Sequence, residues 1–386
     1  MKKIKKKICF VTTSRSDYGF LDELINEASK KLKKNYQIYL IISGSHLSKT
    51  FGYTVRNIKK YKNIKTIKVK IIEVKNNKES LINTIASSCL KFSKILKKIK
   101  PNLLVAFGDR YEMFSMSLTA YTLNIPQAHI AGGEVTEGSI DENFRHAMTK
   151  FSNLHFPVTN IYRNRLIAMG EDPKKVFNYG SLHVEKIKNM KFFTKKEIEK
   201  KLKIKFLKNN FVVVFHPETA NLENTIKNFK ILISAIGYFK NINFIFTAPA
   251  SDYLGKKFIS LTKKFSKNKK NVFFFKSLGS KMYLSLLKNS DGLIGNSSSG
   301  ISEAPILKTY TVNIGNRQKG RIGFKSIYNC PSKKKDIINN IKKILKKKKF
   351  TSSFNLYGSG KTAQKIIKKI KYIKNFSSTK LFYDLK

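Results

Sequence analysis

Short apolar runs alternate with longer segments of helical periodicity along most of this chain of 386 residues. Such alternation is typical of βα units, in which each crossover helix returns the chain so that the next strand pairs in parallel. The length exceeds what one hydrophobic core usually serves and fits two domains. The sequence therefore predicts an α/β fold of two Rossmann-like, doubly wound parallel sheets.

The predicted strands form two groups, separated by a lysine-rich stretch at residues 185–208. A first domain, residues 1–180, would contain the strands 8–13, 37–43, 69–74, 102–107, 127–131, 154–158 and 176–179. A second domain, residues 181–358, would contain the strands 211–215, 243–247, 272–275, 292–294 and 310–314. We expect the last helix, within residues 359–386, to pack back on the first domain. Because doubly wound sheets bind ligands beyond the carboxyl ends of their strands, we expect the site in a cleft where the two domains face each other.

The chain carries 77 Lys and Arg residues against 24 Asp and Glu, a net charge of +53. Such a charge is a cue for binding to nucleic acid or to anionic membranes. The lysines, however, are spread along the whole sequence. In residues 333–349, for example, isoleucines and a leucine recur at helical spacing while lysines cover the other faces. We interpret the lysines as a solvated surface that helps attract an anionic nucleotide, and we predict no specific nucleic-acid partner.

Three cysteines, Cys9, Cys89 and Cys330, lie far apart and form no Cys-x-x-Cys pair. This spacing suits free thiols in a reducing compartment. The apolar run that follows the basic residues 1–7 is too short for an export signal, and no run reaches the length of a membrane span. The sequence thus predicts a cytoplasmic protein without a membrane span.

Two loops that follow predicted strands have the composition of anion sites. Residues 13–19 open a helix whose free N–H groups suit phosphate, and Arg15 there is able to clamp a diphosphate. The alternative for this loop is an ordinary turn in which Asp17 or Ser16 caps the helix. Residues 295–300 read Gly-Asn-Ser-Ser-Ser-Gly, so the backbone can approach phosphate closely while hydroxyls add donors. Their lack of charge and their apolar flanks favour phosphate binding over a flexible surface turn.

Carboxylates, histidines and arginines follow three other predicted strands. A mixture of acids, bases and cations at such positions suits proton transfer beside an anionic substrate. In the second domain one histidine ends the strand 211–215, where it would face the carboxylates of the first domain across the cleft. The candidates are Asp109, Arg110, His129, Glu134, Asp141, Glu142, His146 and His216.

Neither a metal nor a cofactor is predicted. His129 and His146 are too far apart in sequence for a His-x-x-x-His zinc site, and no cysteine lies near them. Residues 358–362, Gly-Ser-Gly-Lys-Thr, resemble the end of a P-loop, but Asn355 stands where that motif needs its first glycine. ATP hydrolysis is therefore not indicated.

These segments occur together, in this order, in one enzyme family. Along almost its whole length the chain resembles the hydrolysing UDP-N-acetylglucosamine 2-epimerases, especially the bacterial branch that supplies sialic or legionaminic acid pathways. Each segment alone is weakly specific, whereas the ordered set is specific. The resemblance is carried by residues 13–19, 43–47, 108–112, 129–134, 141–146, 215–219, 295–300, 313–321 and 357–360.

The resemblance implies two Rossmann-like halves of the GT-B type, and anti-elimination of UDP through a 2-acetamidoglucal that is then hydrated. It implies that Asp109, with Glu134, Asp141 or Glu142, moves protons at carbon 2 and around the leaving group. His216 would assist the departing phosphate, and Glu303 would bind the ribose. The diphosphate would be held by Arg15, Ser297, Ser298 and Arg317. The matching segments also carry four predicted substrate-binding residues, His46, Arg110, His129 and His146.

One position departs from the family pattern. Much of the wider family has a Glu two residues after the motif histidine, where this chain has Ala131, and Glu134 is the nearest replacement. The usual substrate would be UDP-N-acetylglucosamine, which yields N-acetylmannosamine and UDP; the alternative is UDP-2,4-diacetamido-2,4,6-trideoxyglucose. We expect a homo-oligomer. Two other classes stay open: a GT-B glycosyltransferase, and a basic protein bound to RNA or membranes with its lysines massed on one face.

Overall fold

A computed structural model describes residues 5–49, 52–71, 78–218, 222–248, 255–267, 269–348, 350 and 354–385. Its strands are short and largely buried, as expected for parallel sheets that are covered by helices on both faces. They are β1 Lys6–Thr12, β2 Tyr36–Ile42, β3 Ile64–Lys68, β4 Leu103–Phe107, β5 Gln127–Ile130, β6 Leu154–Phe156, β7 Asn209–Val214, β8 Ile242–Thr247, β9 Val272–Phe275, β10 Gly292–Gly295, β11 Tyr310–Ile314 and β12 Ile327–Cys330.

The helices between the strands bury one apolar stripe each, and lysines occupy much of their outer faces. In the helix Lys334–Leu345, for instance, Ile337, Ile341 and Ile344 are buried, as the isoleucine stripe predicts. The helices are α1 Arg15–Lys31, α2 Lys78–Ile99, α3 Tyr111–Thr122, α4 Asp141–Phe151, α5 Asn160–Ala168, α6 Leu182–Asn189, α7 Lys195–Leu202, α8 Leu222–Ile236, α9 Gly255–Lys267, α10 Gly279–Lys288, α11 Ser299–Ser302, α12 Lys334–Leu345 and α13 Thr362–Tyr372.

The first sheet has the strand order β3-β2-β1-β4-β5-β6, with all pairs parallel. The central strand β1 pairs with both neighbours, so that Ile8 lies opposite Ile38 on one side and Leu103 on the other. This order is that of the dinucleotide-binding fold, in which the chain reverses its direction of winding next to β1. Loops that follow β1, β4 and β5 therefore lie at the same end of the sheet.

The second sheet repeats this arrangement with the order β12-β11-β10-β7-β8-β9, again with all pairs parallel. Counted from its own first strand, β7, the order equals that of the first sheet. The loops after β7, β10 and β11 share the carboxyl end of this sheet. The fold is thus α/β with two six-stranded parallel sheets, as predicted.

The chain forms two compact units. The first unit contains Met1–Glu134, Asp141–Lys186 and Asn355–Lys386, and the second contains Val135–Ile140 and Ile187–Phe354. In the first unit, Ala363, Ile366 and Ile370 of α13 belong to the same core as Leu21 and Leu24 of α1. The segment Val135–Ile140 belongs to the second unit, an assignment that the sequence did not predict.

Two predicted strands are wrong and one strand was missed. The strand expected at residues 69–74 lies earlier, at β3, and of that range residues 72–74 lie outside the described part of the chain. Residues 176–179 form a single bridge, between His155 and Val176, instead of a strand. The missed strand, β12, and the displaced one, β3, both lie at sheet edges, where burial is one-sided and the apolar run is weak. No helix among the described residues is long and apolar enough to cross a membrane.

Candidate active site

Carboxylates of the first unit gather around a buried arginine beyond the ends of β4 and β5. Arg145 of α4 has a side chain that is 1% exposed, and it forms ion pairs with Asp109, after β4, and with Glu142 one turn earlier. Its Nη1 atom donates 2.8 Å hydrogen bonds to the carbonyl of Glu134 and to Oε2 of Glu142. Burial alone would lower the pKa of Arg145, but Asp109, Glu134 and Glu142 outweigh it, so the pKa is raised and the guanidinium stays charged.

The carboxylates around Arg145 remain partly accessible. The side chains of Asp109 and Glu142 are 23% and 18% exposed. Nε2 of His146 lies 2.9 Å from Oε1 of Glu142, one helical turn away on the same face of α4. Asp141 is the first residue of α4. The structure therefore brings together Asp109, Glu134, Glu142 and His146, and hydrogen bonds orient the side chains of Asp109, Glu142 and His146.

His129 lies beneath this cluster. It is fully buried, with Nε2 at 2.8 Å from the carbonyl of Gly108 and Nδ1 at 3.2 Å from the hydroxyl of Thr149. Burial lowers its pKa to about 4, so the ring is neutral at neutral pH. Because a carbonyl only accepts hydrogen bonds, Nε2 carries the proton and Nδ1 accepts from Thr149. His129 thus holds the loop that carries Asp109 and has no ring nitrogen left for a ligand.

Arg110, the residue after Asp109, pairs with a residue at the start of the helix α3 that follows it. Its Nε and Nη2 atoms donate to the two carboxylate oxygens of Glu112 at 3.1 and 3.3 Å. Glu112 is completely buried, and burial raises its pKa although Arg110 partly offsets this effect. In this structure Arg110 neutralises a buried acid, so it is occupied by a partner that the sequence alone did not reveal.

The loop between β1 and α1 is closed by Asp17. Its carboxylate accepts the backbone N–H groups of Thr13 and Ser14, each at 2.7 Å, while Ser14 caps the helix. These N–H groups are therefore already occupied, as in the alternative of an ordinary capped loop. Arg15, the first residue of α1, is exposed to solvent. His46 is 1% exposed and lies within hydrogen-bonding distance of the Thr12 and Thr54 hydroxyls, so it ties two loops together inside the fold.

In the second unit one asparagine organises the ends of three strands. Asn296, after β10, is fully buried, and its side chain accepts the N–H of His216 at 2.7 Å and donates to the carbonyl of His216 at 2.9 Å. The carbonyl of Asn296 accepts Arg317 Nη1 at 3.2 Å and Gln318 Nε2 at 2.9 Å. Asn296 therefore fixes the loops after β7 and β11 relative to its own.

The backbone before Asn296 requires glycine. Gly295 has a φ of +142°, and a Cβ atom there would lie 1.9 Å from the carbonyl oxygen of Val214. Ser297 is buried and its hydroxyl accepts the N–H of Ser299 at 3.3 Å, while Ser298 is half-buried. The following helix α11 has only four residues, so its dipole is small. Any anion here would rely on hydroxyls, backbone N–H groups and Arg317.

Two buried carboxylates lie in the same part of the second unit. Glu303 follows α11 and is 7% exposed. Glu218 is 8% exposed; burial raises its pKa, and Arg317 and Asn296 offset only part of this effect. A Cβ atom at Gly315 would lie 2.5 Å from Glu218 Oε1, so glycine allows this acid to pack against the loop after β11.

Sequence reasoning missed the residues that hold the predicted ones. Arg145 and Asn296 lie inside two of the family segments. Their positions in the sequence, however, do not show that each of them contacts several other residues of its site. The sequence did not predict that Thr149 holds His129 or that Gln318 holds Asn296, because a hydrogen bond to a distant loop leaves no local pattern. Among the described residues, no group of three His, Cys, Asp or Glu side chains could hold a metal ion.

Comparison with known proteins places these features in a family. The family model described as UDP-N-acetylglucosamine 2-epimerase matches residues 30–371. A Campylobacter jejuni protein named GDP/UDP-N,N'-diacetylbacillosamine 2-epimerase (hydrolyzing) is 40% identical over 324 residues, which cover 84% of each chain. The Escherichia coli polysialic acid biosynthesis protein P7 is 37% identical over 391 residues, which cover 98% of each chain.

The fold is also similar to solved structures. A crystal structure of Methanocaldococcus jannaschii UDP-GlcNAc 2-epimerase in complex with UDP-GlcNAc and UDP superposes with a TM-score of 0.79 at 20% identity. The match covers 95% of this chain and 100% of that chain. At this identity the likeness concerns the fold, which is of the same GT-B-like type.

Proposed function

Because the chain belongs to the UDP-N-acetylglucosamine 2-epimerase family and is a hydrolysing UDP-sugar 2-epimerase, we propose that it converts UDP-N-acetylglucosamine and water into N-acetylmannosamine and UDP. The proposal assigns the sugar to the acidic cluster of the first unit, defined here as Asp109, Glu134 and Glu142 around Arg145 together with Asp141 at the start of α4. It assigns the diphosphate to Ser297, Ser298 and Arg317 of the second unit, and the ribose to Glu303.

The reaction needs a base near carbon 2 and a stabilised leaving group. A carboxylate of the acidic cluster takes the proton from carbon 2, the electrons of that bond form a double bond to carbon 1, and the bond from carbon 1 to the diphosphate oxygen breaks. Water then adds its hydroxyl to carbon 1, and carbon 2 takes a proton on the opposite face. His216 and Arg317 would stabilise the negative charge that develops on UDP.

The observation that carries the proposal is the collection of Asp109, Glu134 and Glu142 around one buried guanidinium. Arg145 keeps several acids close together without strong mutual repulsion, and it orients Asp109 and Glu142 through hydrogen bonds to their carboxylates. Two proton transfers on opposite faces of a sugar require more than one oriented acid or base, which this cluster supplies. A glycosyltransferase would have no need for such a set.

Incubation with UDP-N-acetylglucosamine in deuterated water tests the reaction. We expect release of UDP and a free sugar that carries deuterium at carbon 2 with inverted configuration, both visible by proton NMR. UDP release without deuterium at carbon 2 would contradict the proposal, since simple hydrolysis or glycosyl transfer leaves that bond intact.

A second substrate, UDP-N,N'-diacetylbacillosamine, is favoured by the names of two relatives. These are the Campylobacter protein and a Legionella pneumophila protein that is 29% identical over 370 residues. Comparison of kcat/KM for the two nucleotide sugars decides between them. A lower value for UDP-N-acetylglucosamine would move the assignment to the diacetamido sugar, with the same chemistry at carbon 2.

We also propose that the enzyme works in the cytoplasm as a homo-oligomer. Cys9, Cys89 and Cys330 are free thiols, which fits a reducing compartment. Light scattering of the purified protein would measure the oligomeric state, and a monomeric mass at micromolar concentration would contradict the second part.

A further inference from the structure

A buried ion network lies in the first unit at the end of α4 opposite to the acidic cluster. Glu171 is 2% exposed and pairs with His155 on β6 at 2.8 Å, with Lys150 of α4 at 3.0 Å and with Lys380 of the C-terminal tail at 2.6 Å. The proposed reaction uses none of these groups. Lys380 lies eight residues after the end of α13, and its partners lie more than 200 positions earlier in the sequence.

The ammonium group of Lys380 uses all three of its protons in this place. Besides Glu171, it donates to the carbonyls of Thr149 and Ser152, each at 2.8 Å. Thr149 lies in the last turn of α4, where carbonyl groups have no partner within the helix. The carbonyl of Thr149 also accepts the N–H of Ser152 at 3.1 Å, so Lys380 adds a second donor to it and interacts favourably with the negative end of the helix dipole.

The tail is attached at further points on both sides of Lys380. Asn153 Nδ2 donates to the carbonyl of Ser378 at 3.3 Å, and the N–H of Tyr383 donates to the carbonyl of Gly170 at 3.1 Å. The ring of Phe382 packs so closely on Gly170, whose φ is +85°, that a Cβ atom there would lie 2.5 Å from it. Contacts on both sides of Lys380 therefore hold the tail against the first unit and place this lysine at the end of α4.

Thr149 connects this cap to the acidic cluster. Its carbonyl is held by Lys380, and its hydroxyl donates to His129, whose other nitrogen holds the loop of Asp109. The same helix carries Glu142 and Arg145 toward its beginning. From these contacts we infer that Lys380 is a positioning residue for the proposed reaction: it fixes α4, and through Thr149 and His129 the loop of Asp109.

This inference rests on the proposed function for its catalytic readout, and amide hydrogen exchange of α4 gives a readout that does not. In Lys380→Met we expect faster exchange in residues 141–151 and a kcat lowered about tenfold, with KM nearly unchanged because the nucleotide is held elsewhere. Lys380→Arg keeps the cation and should restore both. The matched control Lys371→Met removes an exposed lysine of the same chain end and should behave as the wild type.

The pH dependence of hydrogen exchange in the wild-type protein provides a test that does not depend on how a substitution affects folding. Burial lowers the pKa of Lys380 to about 8, although Glu171 opposes this effect; His155, Lys150 and Lys175 also face the site. Exchange in α4, corrected for its intrinsic pH dependence, should therefore accelerate above about pH 8 in the wild type and much less in Lys380→Arg.

Unchanged kcat and unchanged α4 exchange in Lys380→Met would overturn the inference. So would a loss of protection spread evenly over the whole first unit without rescue by Lys380→Arg, since that pattern marks a general structural role. Absence of epimerase activity in the wild type on both nucleotide sugars would instead overturn the proposed function. The exchange data would then still decide whether Lys380 holds α4.

Discussion

The two units of this protein share one strand order but differ in the chemistry at the carboxyl ends of their strands. In the first unit these loops carry an ion-pair cluster around the buried Arg145. In the second unit the same positions carry turns that are organised by the amide of Asn296, with hydroxyls beside it. The comparison teaches that one topology can orient acidic side chains by charge in one place and polar loop residues by neutral hydrogen bonds in another.

The units also differ in how they bury charge. Glu171 of the first unit is buried and pairs with a buried histidine and with two lysines whose side chains are 16% and 38% exposed. In the second unit, the ion pair of Glu137 and Lys319 is open to solvent, with side chains 50% and 64% exposed. Buried pairs depend strongly on protonation, whereas solvent-exposed pairs contribute little. Four changes, from the largest expected effect to the smallest, test the differences between the two units.

Asp109→Asn should distinguish the roles of the two units most clearly. Loss of the proposed base is expected to lower kcat by about 10³-fold, while UDP affinity stays within about twofold because the residues proposed to bind the diphosphate lie in the second unit. Steady-state kinetics and calorimetry with UDP measure the two quantities. Asp172→Asn, the same change at a helix cap of the first unit, is the control and should leave both unchanged. Full activity in Asp109→Asn would remove this residue from the mechanism.

Glu171→Gln should destabilise the protein by about 2 kcal/mol at pH 7. Burial alone would raise the pKa of Glu171, but His155 and Lys380 lower it from 4.5 to about 2. Because the folded pKa lies below the unfolded one, its stabilising contribution is present above about pH 4.5 and is lost as the pH falls toward 2. Urea unfolding across this range should show an acid slope in the wild type that is reduced in the variant. Parallel curves would contradict the assignment.

Asn296→Asp tests the neutral hydrogen bonds of the second unit. The aspartate still accepts the N–H of His216 but presents a second oxygen to its carbonyl, so one hydrogen bond becomes a repulsion. We expect UDP to bind about tenfold more weakly, with a smaller effect on the release of deuterated sugar at saturation. Asn329→Asp adds the same charge at an exposed position of β12 and keeps its oxygen acceptor for Asn313, so it should bind UDP normally. Equal losses in both variants would point to charge alone.

Glu218→Gln should have the opposite sign to Glu171→Gln and a smaller size. Burial raises the pKa of Glu218, so the charged form costs stability as the pH rises above 4.5. Glutamine removes that cost, and the variant should be slightly more stable than the wild type at pH 7, with the difference vanishing in acid. Thermal unfolding at several pH values measures the difference. A destabilised variant at pH 7 would show that Glu218 acts chiefly as a partner of Arg317.

Much of the fold was readable because parallel strands buried on both faces need continuous apolar runs. The runs at β1, β4, β7, β8 and β11 are of this kind, and the predicted strands there are confirmed. At two of the four sheet edges the signal fails, because β3 and β12 are partly exposed and carry lysines or polar residues among their apolar ones. The apolar residues Val69 and Ile71 contribute to the core beyond β3 without forming the strand that their pattern suggested.

The sequence predicted site residues only where they lie in the family segments. Asp109, Glu134, Glu142 and His146 do, and the structure gathers them at Arg145. His46 and His129 also stand in such segments, yet both rings are buried with their nitrogens engaged by hydroxyl and carbonyl groups. A histidine at a strand end looks the same in the sequence whether it faces a ligand or a threonine, since the difference lies in residues far along the chain.

By itself, the sequence determined the α/β class, the two repeated sheets and the family, because these depend on local periodicity and on motifs read in order. Only the tertiary structure decided which charges share a site. Arg145 with Asp109, Asn296 with His216, and Lys380 with Thr149 are separated by 36, 80 and 231 positions. Such pairs depend on the close packing of distant segments, which excludes water and makes the hydrogen bonds and charges strong.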